Sequence, residues 1–356
     1  MRALYWNGRD ALEWREDAEP SIVEPTDALV RPIAVSTCDL DQAIVHAKEP
    51  VPGSEQPFAI GHEGVGEVID VGPGVRTLRS GDVVAICHHL SCGACDRCID
   101  QRPLFCRTTN DGAIAIFGVP MGAEYGGLFS DLVRVPYADQ CLLPLPPNVT
   151  AVEAVSVGDN LADAWRTVAP FLSQRPGADV LILGSGSIGL YATDIALALG
   201  ARDVRFVDAD DSRRALAESL GASVRPPSDF DPHEKGYAIT VNATADTSGS
   251  TLRTCLLAAE PGATCVNTTP HFADPALPVL HMFLNCLTLT GGLSQARANM
   301  PAVLALLASG RISPQRVATA VLPFETAANA IPTAGFKPVF VRDPIAAPAS
   351  RLKGEA

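Results

Sequence analysis

The chain has 356 residues, 47% of them hydrophobic and 19% charged, which is enough apolar material for about two domain cores and too much for a disordered chain. A formal net charge of -13 excludes a surface built to neutralise nucleic-acid phosphates or anionic lipid, and no stretch is long and apolar enough to span a bilayer. The opening residues, MRALYWNGRDALEWRED, hold no apolar run of signal-peptide length, so the 10 cysteines read as reduced thiols of a cytoplasmic protein.

Short β-branched runs broken by Gly and Pro fill the first 150 residues: ALVRPIAVS, GVGEVIDVG, GDVVAIC and FSDLVRVP. They predict an irregular, mainly antiparallel β domain. From about Ala151 apolar strands (DVLILG, DVRFVDAD, YAITVNAT, GATCVNTT, LTLTGG) alternate with helical stretches such as SIGLYATDIALALG and SRRALAESLGA. That alternation predicts βαβ units and a buried parallel sheet. After Gly292 the pattern gives one amphipathic helix, MPAVLALLASGRI, then two strands, VATAVLPF and KPVFVRD, which predicts a tail returning to the first domain. The expected division is 1–158 with 296–356, and 159–295. The polar end, ASRLKGEA, is expected to be disordered. Cys87, Cys141, Cys255, Cys265 and Cys286 stand alone among apolar residues and read as small core residues.

Within this frame the residues that carry chemistry also follow in chain order. Cys38 lies in STCDLDQ, His62 in AIGHEGVGEV with Glu63 beside it, and Asp159 in SVGDNLADAWRT at the change of texture. A thiolate, an imidazole and a carboxylate make the three-ligand, one-open-position set of a catalytic zinc. Equally, a lone Cys is more often a core residue, a lone His a satisfied polar group, and Asp159 has the position of a helix N-cap. Between them, Cys92, Cys95, Cys98 and Cys106 form C-x2-C-x2-C-x7-C, a closed tetrahedral shell for a structural zinc that leaves no position for reaction.

Gly184, Gly186 and Gly189 of GSGSIG, with Ser187 and Ile188 between them, follow the strand DVLIL and open a helix. The next strand ends at Asp208. Together these form a dinucleotide fingerprint, in which the helix N-terminus takes the pyrophosphate and the acid accepts from the adenosine ribose. An acid there favours NAD(H) over NADP(H), although Arg213 and Arg214 stand close enough in sequence to meet a 2'-phosphate.

Taken together, Cys38, GHEGVGEVIDVGPGV, the Cys92–Cys106 lobe, GSGSIG and Asp208 resemble the zinc-dependent medium-chain alcohol dehydrogenases, in that family's order and over nearly the whole chain. The resemblance implies a GroES-like β catalytic domain and a Rossmann domain. It also implies two zinc ions per chain, a small alcohol or carbonyl substrate, and a homodimer or homotetramer. Cys38, His62 and Asp159 would hold the catalytic zinc, with Glu63 a close or alternating ligand. Thr268 and Thr269 would lie where the family backbone meets the nicotinamide, and Arg297 where a basic residue faces the pyrophosphate. Pocket walls would come from residues near 45–60, 110–125 and 271–284.

One departure is chemical. Family members carry a proton from the reacting oxygen through a Ser or Thr two residues after the zinc Cys, and often on to a His five residues after it. Here those positions are Leu40 and Ala43, while Asp41 matches the family's Asp and keeps the segment in register. Either His88 and His89 replace the relay, with Tyr125 a further donor, or the reaction is a conjugate reduction of a C=C bond protonated elsewhere.

Overall fold

The computed structural model describes residues 1–8, 11–46, 57–110, 114–234, 236–271 and 273–343. The expected terminal disorder, and parts of the expected pocket walls (47–56, 111–113 and 272), lie outside the described residues. An antiparallel hairpin of β1 (Arg2–Trp6) and β2 (Leu12–Glu16) opens the chain. The sheet of the first region uses β3 (Ala28–Ser36), β5 (Glu63–Val71), β6 (Val83–Ile86), β7 (Val133–Val135) and β8 (Leu142–Pro144), while the short β4 (Phe58–Ala59) pairs with β1.

The second sheet is parallel throughout. It contains β9 (Asp179–Gly184), β10 (Asp203–Val207), β11 (Ser223–Arg225), β12 (Tyr237–Ala243), β13 (Ala259–Asn267) and β14 (Thr288–Gly291), in the order β11-β10-β9-β12-β13-β14. This is the doubly wound dinucleotide order, whose switch point lies between β9 and β12. Both strands are apolar because helices cover both sheet faces. Gly189, on the helix Ser187–Ala198, brings that helix onto β9: a methyl there would stand 3.2 Å from Gly184 Cα and 3.3 Å from the Phe206 ring.

The tail then crosses back. β15 (Ala320–Pro323) and β16 (Pro338–Val341) extend the first sheet, and β16 runs antiparallel to residues 34–36 of β3. One apolar core joins the two sheets, running from Ile33, Val65 and Ala85 through Val157 and Leu161 to Ile182 and Leu190. The helix Asn160–Gln174 stands at that join.

Four of the five isolated cysteines are buried, as their apolar neighbours predicted, but Cys286 is exposed. It sits at φ 52° in the turn between the helix Val279–Leu284 and β14, where a left-handed backbone turns it out of the core. That short helix also exposes Val279, Leu280, Phe283 and Leu284, each by two-thirds or more. No described helix is long and apolar enough to cross a membrane.

Candidate active site

Antiparallel pairing of Ser36 with Glu63 sets the end of β3 beside the start of β5. Cys38, two residues past that pair, and His62, one residue before it, therefore share one end of the sheet. Gly61 makes the entry: its φ is +97°, and a methyl on it would lie 2.6 Å from the Phe129 ring. Cys38 Sγ and His62 Nε2 are 3.2 Å apart, and Asp159 Oδ2 is 3.4 Å from the same nitrogen. Zinc bonds of about 2.0–2.3 Å at tetrahedral angles require separations of about 3.6 Å for S···N and about 3.3 Å for N···O. Both contacts fit.

Asp159 occupies the N-cap position of Asn160–Gln174 yet makes no capping hydrogen bond. Its carboxylate instead faces His62 and His88, the latter at 3.7 Å. The three side chains here whose ligand atoms all lie within 4.8 Å of one another are Cys38, Asp41 and His62, a set without Asp159. Asp41 sits on the other side of the imidazole, however, with Oδ1 3.4 Å from Nδ1 and Oδ2 accepting the Cys38 backbone N–H at 2.8 Å. It flanks the ring on the Nδ1 side, and Nδ1 itself is buried without a hydrogen-bond partner. Burial works against a charged His62, but the fields of Asp41 and Cys38 outweigh it and raise its pKa well above the usual value. Burial also opposes ionisation of Asp159, yet His88, His62 and Lys337 hold it low. Burial pushes the Cys38 thiol up to about 12, against the opposing effect of His62.

The four-cysteine lobe passes the same test. Its sulfurs all lie within 4.8 Å of one another, with Cys95 3.6 Å from Cys98 and 3.9 Å from Cys106. A tetrahedron of Zn–S bonds near 2.3 Å has edges of about 3.8 Å. Backbone N–H groups of Ala94 and Cys95 point at Cys92 Sγ, and that of Cys92 at Cys106 Sγ. Burial resists ionisation of Cys106, but donors from Thr109, Cys92 and Thr108 overcome it and lower the thiol to about 6.

At the carboxyl ends of β9, β12 and β13 the fingerprint residues converge. Ser187, buried at the start of its helix, accepts from Asn160 Nδ2 at 2.7 Å. Thr268 N–H and Oγ1 both donate to the Asn242 carbonyl, and Thr269 Oγ1 donates to that of Thr244. Asp208 is buried and gripped in bidentate fashion by Arg213, at 2.7 and 2.8 Å, while its backbone carbonyl accepts from Arg214.

The chain matches the family "Alcohol dehydrogenase GroES-like domain" over residues 24–147 and "Zinc-binding dehydrogenase" over 187–309. It is 30% identical over 341 residues to "Probable zinc-binding alcohol dehydrogenase Rv1895" of Mycobacterium tuberculosis, covering 94% of this chain and 85% of that one. It belongs to the zinc-dependent medium-chain alcohol dehydrogenases. The alcohol dehydrogenase TADH of Thermus sp. ATN1 superposes with a TM-score of 0.87 at 30% identity, over 96% of this chain and 99% of that one. A glutathione-independent formaldehyde dehydrogenase of Pseudomonas aeruginosa is 34% identical over 250 residues, 67% of this chain but only 62% of that enzyme's length.

For an alcohol dehydrogenase of this family, several residues sit differently from the sequence expectation. Arg297 is not brought to the glycine loop. Its guanidinium donates to the Gln140 carbonyl and acts on Cys87, Cys141 and His89. Tyr125 lines a cavity of about 320 Å³ with Tyr5, Asp17 and Arg134, none of them metal-site residues. His88 donates from Nδ1 to the Gly158 carbonyl at 2.8 Å, a tautomer that leaves Nε2 as its acceptor. Burial lowers the pKa of His88 and, more strongly, of His89, which disfavours the imidazolium a proton donor needs. Leu40 is 40% exposed on the surface of its helix.

A further group was missed from sequence. Glu63 does not stand beside His62 as a free carboxylate: it forms a fully buried ion pair with Lys337, the residue just before β16. Burial alone would strip Lys337 of its charge, and Glu63 overrides it, raising the pKa. Tyr191 continues the network, with its hydroxyl 3.0 Å from Ser156 Oγ. The only cue was a lysine opening the otherwise apolar run KPVFV. Removing one member of a buried pair strands the other charge and costs about 3–5 kcal/mol. Lys337→Met is expected to lower the urea midpoint sharply, and adding Glu63→Gln to restore much of it. Simple additivity of the two losses in urea unfolding would contradict a coupled pair.

Proposed function

We propose that this chain is an NAD(H)-dependent oxidoreductase acting between a small alcohol and its carbonyl, with one structural and one catalytic zinc. The observation that carries the reading is the meeting of Cys38 Sγ, His62 Nε2 and Asp159 Oδ2 beside the helix that opens the glycine-rich loop. A zinc held there supplies Lewis-acid polarisation of the substrate oxygen, and the nicotinamide supplies the hydride chemistry. Asp41 flanks the ring of His62 on its Nδ1 side, and the buried ion pair with Lys337 holds the second carboxylate, Glu63, in place. Thr268 and Thr269 shape the floor at the ends of the strands, while Asp208, its oxygens fixed by Arg213, receives the adenosine ribose. His88 offers Nε2 to the site as a hydrogen-bond acceptor, and His89 packs its ring edge-on against it at 4.9 Å. The division at 158/159 and 295/296 belongs to the same reading, supported by β15 and β16 joining the first sheet.

The direct test is reduced-nicotinamide absorbance with primary, secondary and cyclic alcohols and either NAD+ or NADP+. Turnover with NAD+ in preference to NADP+ is the expected result. No turnover in either direction, with two zinc ions bound, would refute the reading. Deuterium from labelled NADH found on a carbon not bonded to oxygen would move the assignment to conjugate C=C reduction. Sedimentation of the same protein tests the oligomer: the exposed face of Val279–Leu284 is read as covered by a second copy, and a monomer mass at micromolar concentration would reject that part.

A further inference from the structure

The loop GSGSIG is shaped to receive an anion, and one carboxylate of the chain stands against its middle glycine. Gly186 is the N-cap of the 12-residue helix Ser187–Ala198. A methyl built on Gly186 would lie 2.2 Å from Asp39 Oδ2, 3.0 Å from its Cγ and 3.1 Å from Oδ1. The carboxylate thus faces the middle glycine oxygen-first. The corresponding close neighbour of Gly184, by contrast, is the apolar ring of Phe206. Backbone N–H groups and the positive end of the helix dipole favour negative charge at this place, whether it comes from a phosphate or from a side chain. Asp39 is exposed and follows Cys38 directly, in the first turn of the helix Asp39–Val45. Its charge also reaches the other end of the cleft: Arg213, held charged first by its bonds to Asp208 and against burial, is influenced further by Asp210 and Asp39.

We propose that Asp39 is an internal competitor for the pyrophosphate seat, so that a dinucleotide must displace its carboxylate from Gly186 and binds more weakly than the loop alone would allow. The inference rests on the nucleotide reading above. It names a residue that sets cofactor affinity through charge, placed one step along the chain from a residue facing the metal centre. A displaced Asp39 remains a like charge a few ångströms from the phosphates, so the penalty persists in the bound state and is screened by salt.

The experiment measures binding of NADH, ADP-ribose and adenosine to wild type, Asp39→Asn and Asp39→Ala by titration calorimetry, on preparations of matched zinc content. Asn keeps the size and removes the charge, whereas Ala removes the occupant altogether. NADH and ADP-ribose are expected to bind both variants about tenfold more tightly at low salt, with the gap closing toward 1 M salt, where the screening length falls to about 3 Å. Adenosine, which lacks a pyrophosphate, should bind all three proteins alike. Unchanged or weaker NADH binding in both variants, or a gain that adenosine shares, would overturn the role of Asp39 while leaving the nucleotide site standing. Failure of wild type and variants alike to bind NADH, NADPH or ADP-ribose would overturn both the role and the reading beneath it.

Discussion

Cys38→Ala is expected to reduce hydride transfer by about 10³-fold or more and to lower the zinc content from two ions per chain to one. The magnitude follows from two steps. Lewis-acid stabilisation of a developing oxyanion is worth several kcal/mol, and each 1.36 kcal/mol is a factor of ten in rate. Loss of the thiolate removes one of the few ligands that could hold the ion, and His62 Nε2 and Asp159 Oδ2 make a poor chelate alone. NADH affinity should stay within about twofold of wild type, because Cys38 touches no part of the glycine loop. Single-turnover absorbance with a metal assay decides the matter. A variant that keeps both zinc ions, or transfers hydride at the wild-type rate, removes Cys38 from the centre.

The second large effect concerns stability rather than rate. Cys106→Ser opens the shell that ties Cys92 to Cys106, a closed loop of 15 residues. In the chain-entropy account a cross-link of that length contributes about 3 kcal/mol, and four ligands on one ion constrain the lobe more than one bond does. The apparent unfolding midpoint is expected to fall by about 5 °C, together with loss of one zinc. Cys106 is the telling choice because it is buried and the donors around it already lower its thiol to about 6. Protection of backbone amides in the lobe should be lost first, read by hydrogen exchange. A variant with two zinc ions and an unchanged midpoint would show that the lobe holds itself together without its fourth sulfur.

The sequence made much of the fold readable because its patterns are local. Alternation of apolar strands with helices named β9, β10, β12, β13 and β14 but not the three-residue β11, and the tail strands were visible as VATAVLPF and KPVFVRD. The four-cysteine spacing was legible for the same reason: all four ligands fall within 15 residues. What depends on long-range meeting was harder to read. Asp159 had the position of a helix cap, and only the folded chain shows its side chain turned to His62 instead. Glu63 and Lys337 are 274 residues apart in sequence, and no local pattern foretells their pairing. Arg297 lies in the first turn of its helix, ahead of the expected helix MPAVLALLASGRI, and its side chain reaches Gln140 because packing, not position in the sequence, sets where a long guanidinium goes. Leu40 and Ala43 were plain in the sequence as missing proton carriers, yet the tautomer of His88 required the Gly158 carbonyl to be placed.

The return of the tail has a consequence for biosynthesis. The edge of β3 from Ala34 to Ser36, which leads directly into Cys38, is bordered by Val339–Val341, and Ser36 donates its hydroxyl to the carbonyl of Pro338, 302 residues later. A ribosome therefore releases the thiol and imidazole long before it releases the strand that braces them or the lysine that neutralises Glu63. Until Lys337 is made the nascent polypeptide carries Glu63 without its counter-charge. Completion of the centre around Cys38 and His62 waits on residues 337–341, so a chain stopped before them lacks both the bracing strand and the lysine.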